Sequence, residues 1–153
     1  AKKGPFYGIF DANNELIAFT KITCANWVIQ RLPGFFGGIF TKLLPYTPGI
    51  CRIIRPKEHR FVVPESVWVK DANSKVLSQL FEGILAIEKR NMMLWWIDRR
   101  EPIWRETKNR INWGLVHRMT AHPMVDVVVL RKNPLKLDDL RMKPIFVAGW
   151  DMV

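Results

Sequence analysis

The chain has 153 residues, of which 48% are hydrophobic and 25% are charged. That length suits one ordinary folded domain, and the apolar share is enough for a real core, so intrinsic disorder is excluded. The formal net charge of +10 favours anionic partners, namely nucleic acid, phosphorylated cofactors or an acidic membrane surface, without choosing among them.

The cysteines and histidines indicate neither a disulfide scaffold nor a metal centre. Cys24 and Cys51 are too few for such a scaffold and form no CxxC motif, and the three histidines have no zinc-binding spacing. The apolar stretches fall short of the ~20 residues of a membrane span, and the first residues lack the apolar run of a signal peptide. The sequence also starts without methionine, so we expect a single domain over residues 1–153 that is part of a longer, cytoplasmic protein.

The N-terminal part of the chain predicts a hairpin followed by a short helix. Phe6–Phe10 and Leu16–Ile22 are β-prone runs, and the residues at 11–15 between them suit a tight turn. An amphipathic helix is expected around Phe36–Leu44, within a connection rich in glycine and proline. Its apolar side chains would pack on the sheet; the alternative is a substrate lid, or a membrane or partner surface.

The middle of the chain predicts two strands and the longest helix. The strands are Cys51–Ile54 and Phe61–Val69, and Pro64 indicates a break, an edge or a bulge in the second one. A helix over Lys75–Arg90 follows, because apolar residues recur there at a spacing of three to four. Those residues are Val76, Leu80, Ile84 and Ile87, with Leu77 and Phe81 beside them.

The C-terminal part predicts a buried strand, a short helix and further strands. Met92–Ile97 is continuously apolar and of strand length, and a helix from Pro102 to about Asn109 follows it. The later strands are expected at Trp113–Met119, Val125–Leu130 and Ile145–Ala148. This order predicts an α+β domain in three layers around a mixed sheet.

Two stretches carry groups that could hold a phosphorylated ligand. The helix N-terminus after Val69 offers backbone N–H groups together with four polar side chains, although it contains no glycine and so is not a P-loop. These side chains are Lys70, Asn73, Ser74 and Lys75. The second stretch runs from Asp98 to Trp104, at the end of the buried strand. The alternatives are an ordinary capped helix in the first stretch and, in the second, an Asp98 cap with solvated arginines.

Acid–base candidates are few, and Glu65 is the main one. It precedes a core strand, where its carboxylate could take a proton from an amine directly or through water. A basic cluster between two strands mixes with aromatic residues, as in proteins that bind single-stranded nucleic acid. No nucleic-acid-binding motif accompanies it, so we interpret it as a solvated loop. The cluster consists of Arg52, Arg55, Lys57, His59 and Arg60.

The segment Val67–Lys70, the helix after it and the run Met92–Pro102 resemble the back half of GNAT-type N-acetyltransferases, in particular the second domain of tandem or degenerate members. Ile111–Leu115 and Lys143–Phe146 stand in the expected order behind them. The resemblance implies a GNAT-like splayed mixed sheet with flanking helices, three layers in all. It also implies acetyl-CoA as cosubstrate, bound between two parallel strands, and transfer of the acetyl group to a small amine.

The resemblance assigns roles by position. Trp68 and Val69 would line the pantetheine, the residues from Lys70 to Lys75 would face the pyrophosphate, and Asp98 with Trp104 would flank the thioester arm. The family's glycine-containing phosphate loop is replaced here, and Trp104 stands where a tyrosine often acts as general acid. The first alternative is therefore a catalytically degenerate scaffold or interaction domain of the same fold. The second is a basic module for nucleic acid or an anionic surface, although nucleic acid is not the expected partner. Other domains of the same protein, or further copies of the chain, are also among the expected partners.

Overall fold

In the part of the chain that the structure describes, three antiparallel strands form a sheet in the spatial order β1-β2-β3. They are β1 (Phe6–Phe10), β2 (Leu16–Trp27) and β3 (His59–Val69). The computed structural model of the chain describes residues 4–30, 36–48, 51 and 54–119. Within that part, strands and helices are mixed in the order expected of an α+β protein, which confirms the predicted class.

The turn between β1 and β2 is held by the side chain of Asp11. Its Oδ1 accepts hydrogen bonds from the backbone N–H groups of Asn13 at 2.9 Å and Glu15 at 2.8 Å, and Asn14 adopts a positive φ of 62°. Asx residues favour both features, so the predicted hairpin is confirmed.

Four helices lie wholly within the described part of the chain, and Cys51 is helical as well. The four are α1 (Gly37–Leu43), α2 (Ser74–Ile87), α3 (Pro102–Thr107) and α4 (Gly114–Met119). Short 3-10 turns at Leu44–Tyr46 and Lys70–Ala72 extend α1 and precede α2. The first three helices match the predicted ones. None of the described helices has the length and apolarity that crossing a bilayer requires.

The core lies between α2 and one face of the sheet. Side chains at a spacing of three to four on α2 meet side chains that alternate along β2 and β3, because these are the periods of the two elements. The buried set is Ala18, Ile22, Val62, Val69, Leu77, Leu80, Phe81 and Ile84. Packing of this amphipathic face fixes α2, and therefore the end of β3, against the sheet.

The far end of α2 is tied to the sheet by a hydrogen bond from the hydroxyl of Tyr7 to Oε1 of Glu88. Cys24 on the neighbouring strand also donates to Glu88, with 3.6 Å between its Sγ and Oε2. The hydrogen bond to the carboxylate, followed by burial, raises the pKa of Tyr7 from 10.0 to about 12, because both favour the protonated phenol.

We expect Tyr7 to ionise at a pH of about 12 in the folded protein. The chain has two tyrosines, so absorbance titration of the Tyr46→Phe variant reports Tyr7 alone. Because the folded pKa lies above the unfolded one, the stabilisation is complete below pH 10 and is lost as the pH rises towards 12. Adding Glu88→Gln should lower the midpoint; an equal midpoint with and without Glu88 would contradict the contact.

Five predicted strands differ from the structure or lie, wholly or in part, outside the described residues. Trp113–Met119, expected as a strand, contains α4, which starts where Gly114 has a φ of 85° and Asn112 Oδ1 accepts from its N–H at 3.3 Å. Met92–Ile97 forms an isolated parallel bridge at Met93 rather than a full strand. The strands expected at Val125–Leu130 and Ile145–Ala148 lie outside the described residues. Cys51–Ile54 is described in part, and neither end residue is in a strand.

Candidate active site

A bulge in β3 organises the region of the predicted site. Lys21 on β2 pairs with Glu65 on β3, and Phe19 pairs with Trp68. One residue separates the two partners on β2 but two residues separate them on β3, so β3 has one extra residue here. Ser66, inside the bulge, has a positive φ of 52°. The hydroxyl of Thr20 donates to the carbonyl of Glu65 at 2.8 Å and satisfies a buried backbone group at the bulge.

Glu65 is only 6% exposed and is held by two partners on β2. Lys21 Nζ lies 3.3 Å from its Oε2, and the hydroxyl of Thr23 donates to its Oε1 at 3.1 Å. A buried carboxylate needs such partners, because leaving it without them costs several kcal/mol. The carboxylate of Glu65 is therefore fixed in position, on the face of the sheet opposite α2.

Pairing between β3 and the Met92–Ile97 segment stops at Pro64. Val62 donates to the carbonyl of Met92 at 3.1 Å and accepts from Leu94 at 2.8 Å. Proline has no N–H, so Pro64 cannot continue this parallel ladder. No backbone hydrogen bond between described residues joins β3 beyond Pro64 to residues 95–98. The described part of the chain therefore leaves this edge of β3 unpaired, and we call it the open edge.

The start of α2 is an ordinary capped helix. Asn73 Oδ1 accepts from the N–H groups of Lys75 at 3.0 Å and Val76 at 3.3 Å. Lys70 Nζ contacts Glu15 at 3.1 Å, and this hydrogen bond raises the pKa of Lys70. Ser74 begins the helix half-buried, whereas Lys75 is exposed and forms no ion pair with a described residue.

Asp98 binds Arg100 instead of capping α3. Its Oδ1 accepts from the backbone N–H of Arg100 at 2.8 Å, and its Oδ2 lies 2.6 Å from Nη2 of the same residue. This hydrogen bonding raises the pKa of Arg100. The N-cap residue of α3 is Glu101, which makes no side-chain capping bond.

Trp104 packs in a row of aromatic rings. Its ring centroid lies 5.8 Å from that of Trp113, which lies 6.0 Å from Trp95. Trp95 meets Phe81 of α2 edge to face at 5.2 Å. The row anchors α3 and the segment before α4 to the core.

The structure brings two of the predicted groups together. Helix α3, which carries Trp104, contacts the Lys70–Ala72 turn, so the second stretch lies beside the start of α2. Trp68 and Val69 point to opposite faces: Trp68 stacks on Phe19 at 5.7 Å, and Val69 is buried under α2. Any contact of these two with a ligand at the open edge would therefore run through their backbone.

Sequence reasoning missed the two residues that hold Glu65. Lys21 and Thr23 lie two apart in a strand, which places them on one face, but only the pairing register shows that Glu65 lies opposite. Two polar residues on one face of an otherwise apolar strand were the signal in the sequence that a buried polar partner lies opposite them.

A separate groove of about 620 Å³ lies at the other end of the sheet, lined by residues 26–30. It opens beside Trp27, whose register partner is His59. Burial lowers the pKa of His59, which favours the neutral imidazole there. None of the predicted site residues lines this groove.

Comparison with known protein families, with curated proteins and with solved structures finds no match to this chain. Within the described ranges, no three His, Cys, Asp or Glu side chains come together in a way that could hold a metal ion.

Proposed function

We propose that the chain is a GNAT-like domain that transfers an acyl group from acetyl-CoA to a small amine. The observation that carries the proposal is the open edge of β3 after Pro64, where parallel pairing with the Met92–Ile97 segment ends. An extended pantetheine needs an unpaired strand edge of this kind for its amide groups.

The surroundings of this edge support the same placement. The edge leads directly into the Lys70–Ala72 turn and the start of α2, and α3 lies against that turn. A ligand that ran along β3 would meet Lys75 and Ser74 at one end of the edge. Asp98 and Trp104 follow the Met92–Ile97 segment along the chain.

Glu65 would act as the general base of the reaction. The amine nitrogen bonds to the thioester carbonyl carbon and the carbon–sulfur bond breaks. The proton released by the amine passes to Glu65, directly or through water, and then to the departing CoA thiolate. Lys21 and Thr23 hold the carboxylate in place for this task, since each contacts a different oxygen. Backbone N–H groups near the edge would polarise the carbonyl.

The pyrophosphate is the part of acetyl-CoA that fits least readily. Asn73 already accepts from the two N–H groups that an anion would use, and Asp71 beside it is exposed and acidic. The phosphates would rely on Lys75 and on the N–H of Ser74. This cap favours a second candidate function, a scaffold of the same fold that binds no cofactor.

Calorimetric titration of acetyl-CoA into the whole chain tests the proposal, with adenosine 3′,5′-bisphosphate as a control for charge alone. We expect saturable binding that exceeds the control and weakens by about tenfold in Lys75→Glu, because a charge-assisted contact is lost. The matched control is Lys89→Glu, which changes an exposed lysine beyond the opposite end of α2 and should leave binding unchanged.

The outcomes separate the two candidate functions. Binding together with acetylation of an amine, lost in Glu65→Gln, supports the transferase. Binding without transfer to any amine of a broad panel would favour the scaffold. Absence of binding at millimolar acetyl-CoA would exclude the transferase for this chain.

A further inference from the structure

Helix α1 and the residues on either side of it expose four large apolar side chains to solvent. Phe36, Ile39 and Leu43 follow the helical spacing of three to four, and Tyr46 continues the row in the next turn. Their exposed fractions are 57%, 57%, 54% and 83%. We call these four residues the α1 stripe. A stripe of this kind normally faces a core, so its exposure indicates a surface that meets something apolar.

The opposite side of α1 faces the protein. Gly37 is buried and Thr41 is half-buried, and the hydroxyl of Thr41 donates to the carbonyl of Gly37 at 2.7 Å. The α1 stripe therefore lies on the side of the helix away from Gly37 and Thr41.

The sequence on either side of the stripe is basic as far as residue 57, and the next residue is Glu58. Residues 28–57 contain five basic residues and no acidic one. Three of the five are described and exposed, and none of the three forms an ion pair with a described residue. Those three are Lys42, Arg55 and Lys57. Lys42 lies on α1 itself, directly before the last residue of the stripe on the helix.

We propose that the α1 stripe docks on an anionic lipid surface by entering the headgroup boundary, with Lys42, Arg55 and Lys57 contacting lipid phosphates and carboxylates. An exposed apolar row flanked by cations and free of acids has the composition of helices that lie in the plane of a membrane interface. Basic residues next to such a helix add electrostatic attraction to anionic lipids.

Two features favour lipid over single-stranded nucleic acid. Nucleic-acid binders of that kind need aromatic faces for stacking with bases, and Ile39 and Leu43 in the middle of the stripe have none. Aliphatic side chains in a row gain instead from insertion among acyl chains.

Vesicle sedimentation of the whole chain tests the proposal. We expect binding to vesicles of phosphatidylcholine with about one-third phosphatidylserine, and much weaker binding to pure phosphatidylcholine. Ile39→Glu and Leu43→Glu should each reduce the binding by about tenfold or more, since each puts a charge in the apolar boundary. Lys42→Glu should reduce it as well and make it less dependent on salt.

The matched control is Ile87→Glu, which changes an equally exposed apolar residue of α2 (63% exposed). It should bind vesicles like the unmodified chain. Circular dichroism confirms that each variant remains folded. Equal binding to both vesicle types, no binding to either, or wild-type binding by both stripe variants would overturn the proposal. Binding of an oligothymidylate that is lost in the stripe variants, without vesicle binding, would assign the surface to nucleic acid instead.

Discussion

Replacing Leu77 by alanine should lower the free energy of unfolding by about 2–5 kcal/mol. Leu77 has no exposed surface and lies in the cluster between α2 and the sheet. Alanine keeps the helix propensity high, so the loss reports packing alone: the transfer of the leucine side chain out of water and the cavity left behind. Urea denaturation monitored by circular dichroism measures it.

The control for this prediction is Gln79→Ala, because Gln79 is exposed on the same helix. Its effect should stay within about 0.5 kcal/mol. If Leu77→Ala were as mild as Gln79→Ala, α2 would not form the core with β2 and β3, and the placement of the site at its start would fail with it.

Replacing Lys21 by methionine should cost about 1–3 kcal/mol at neutral pH, because Glu65 then keeps a buried charge without its cation. The figure is below that of a fully buried pair, since Lys21 is 27% exposed and water shares in its solvation. Methionine preserves the length of the side chain next to Phe6, its register partner. Chemical denaturation again supplies the measurement.

A double-mutant cycle separates charge from packing at this pair. Adding Glu65→Gln to Lys21→Met should restore much of the lost stability, because glutamine needs no cation and its carbonyl can still accept from Thr23. Lys21→Arg should be close to the unmodified chain. Additive losses in the double variant would mean that the 3.3 Å contact between Lys21 and Glu65 is not coupled energetically.

The hairpin and α2 could be predicted because their signals are local. Asp11 and Asn14 supply the turn chemistry within five residues, and Asn73 with the apolar stripe after it defines the start and the buried face of α2. The α+β class follows from such elements. For the same reason the sequence could place Glu65 in β3 and the residues around Asn73 at the start of α2; their role in a site stays a prediction.

Features that depend on distant residues could not be predicted. The pairing of Glu65 with Lys21 needs the register of β2 against β3, which a single sequence does not define. The Trp113–Met119 run is apolar enough for a strand, but Asn112 and Gly114 start a helix there, and Trp113 joins the aromatic row through residues far away in sequence. Long-range packing decides such short segments.

The extra residue in β3 also governs how this chain can be aligned with others. Because Ser66 and Val67 together oppose Thr20, Glu65 and Trp68 share a sheet face although they are three positions apart, and Val69 turns into the core. A relative with a regular strand would need a gap of one position here. Without that gap, every later residue of the strand would be matched to a counterpart on the wrong side of the sheet. A distant sequence that shares this strand should therefore show the same change at the position of Ser66, where the alternation of buried and exposed residues shifts by one.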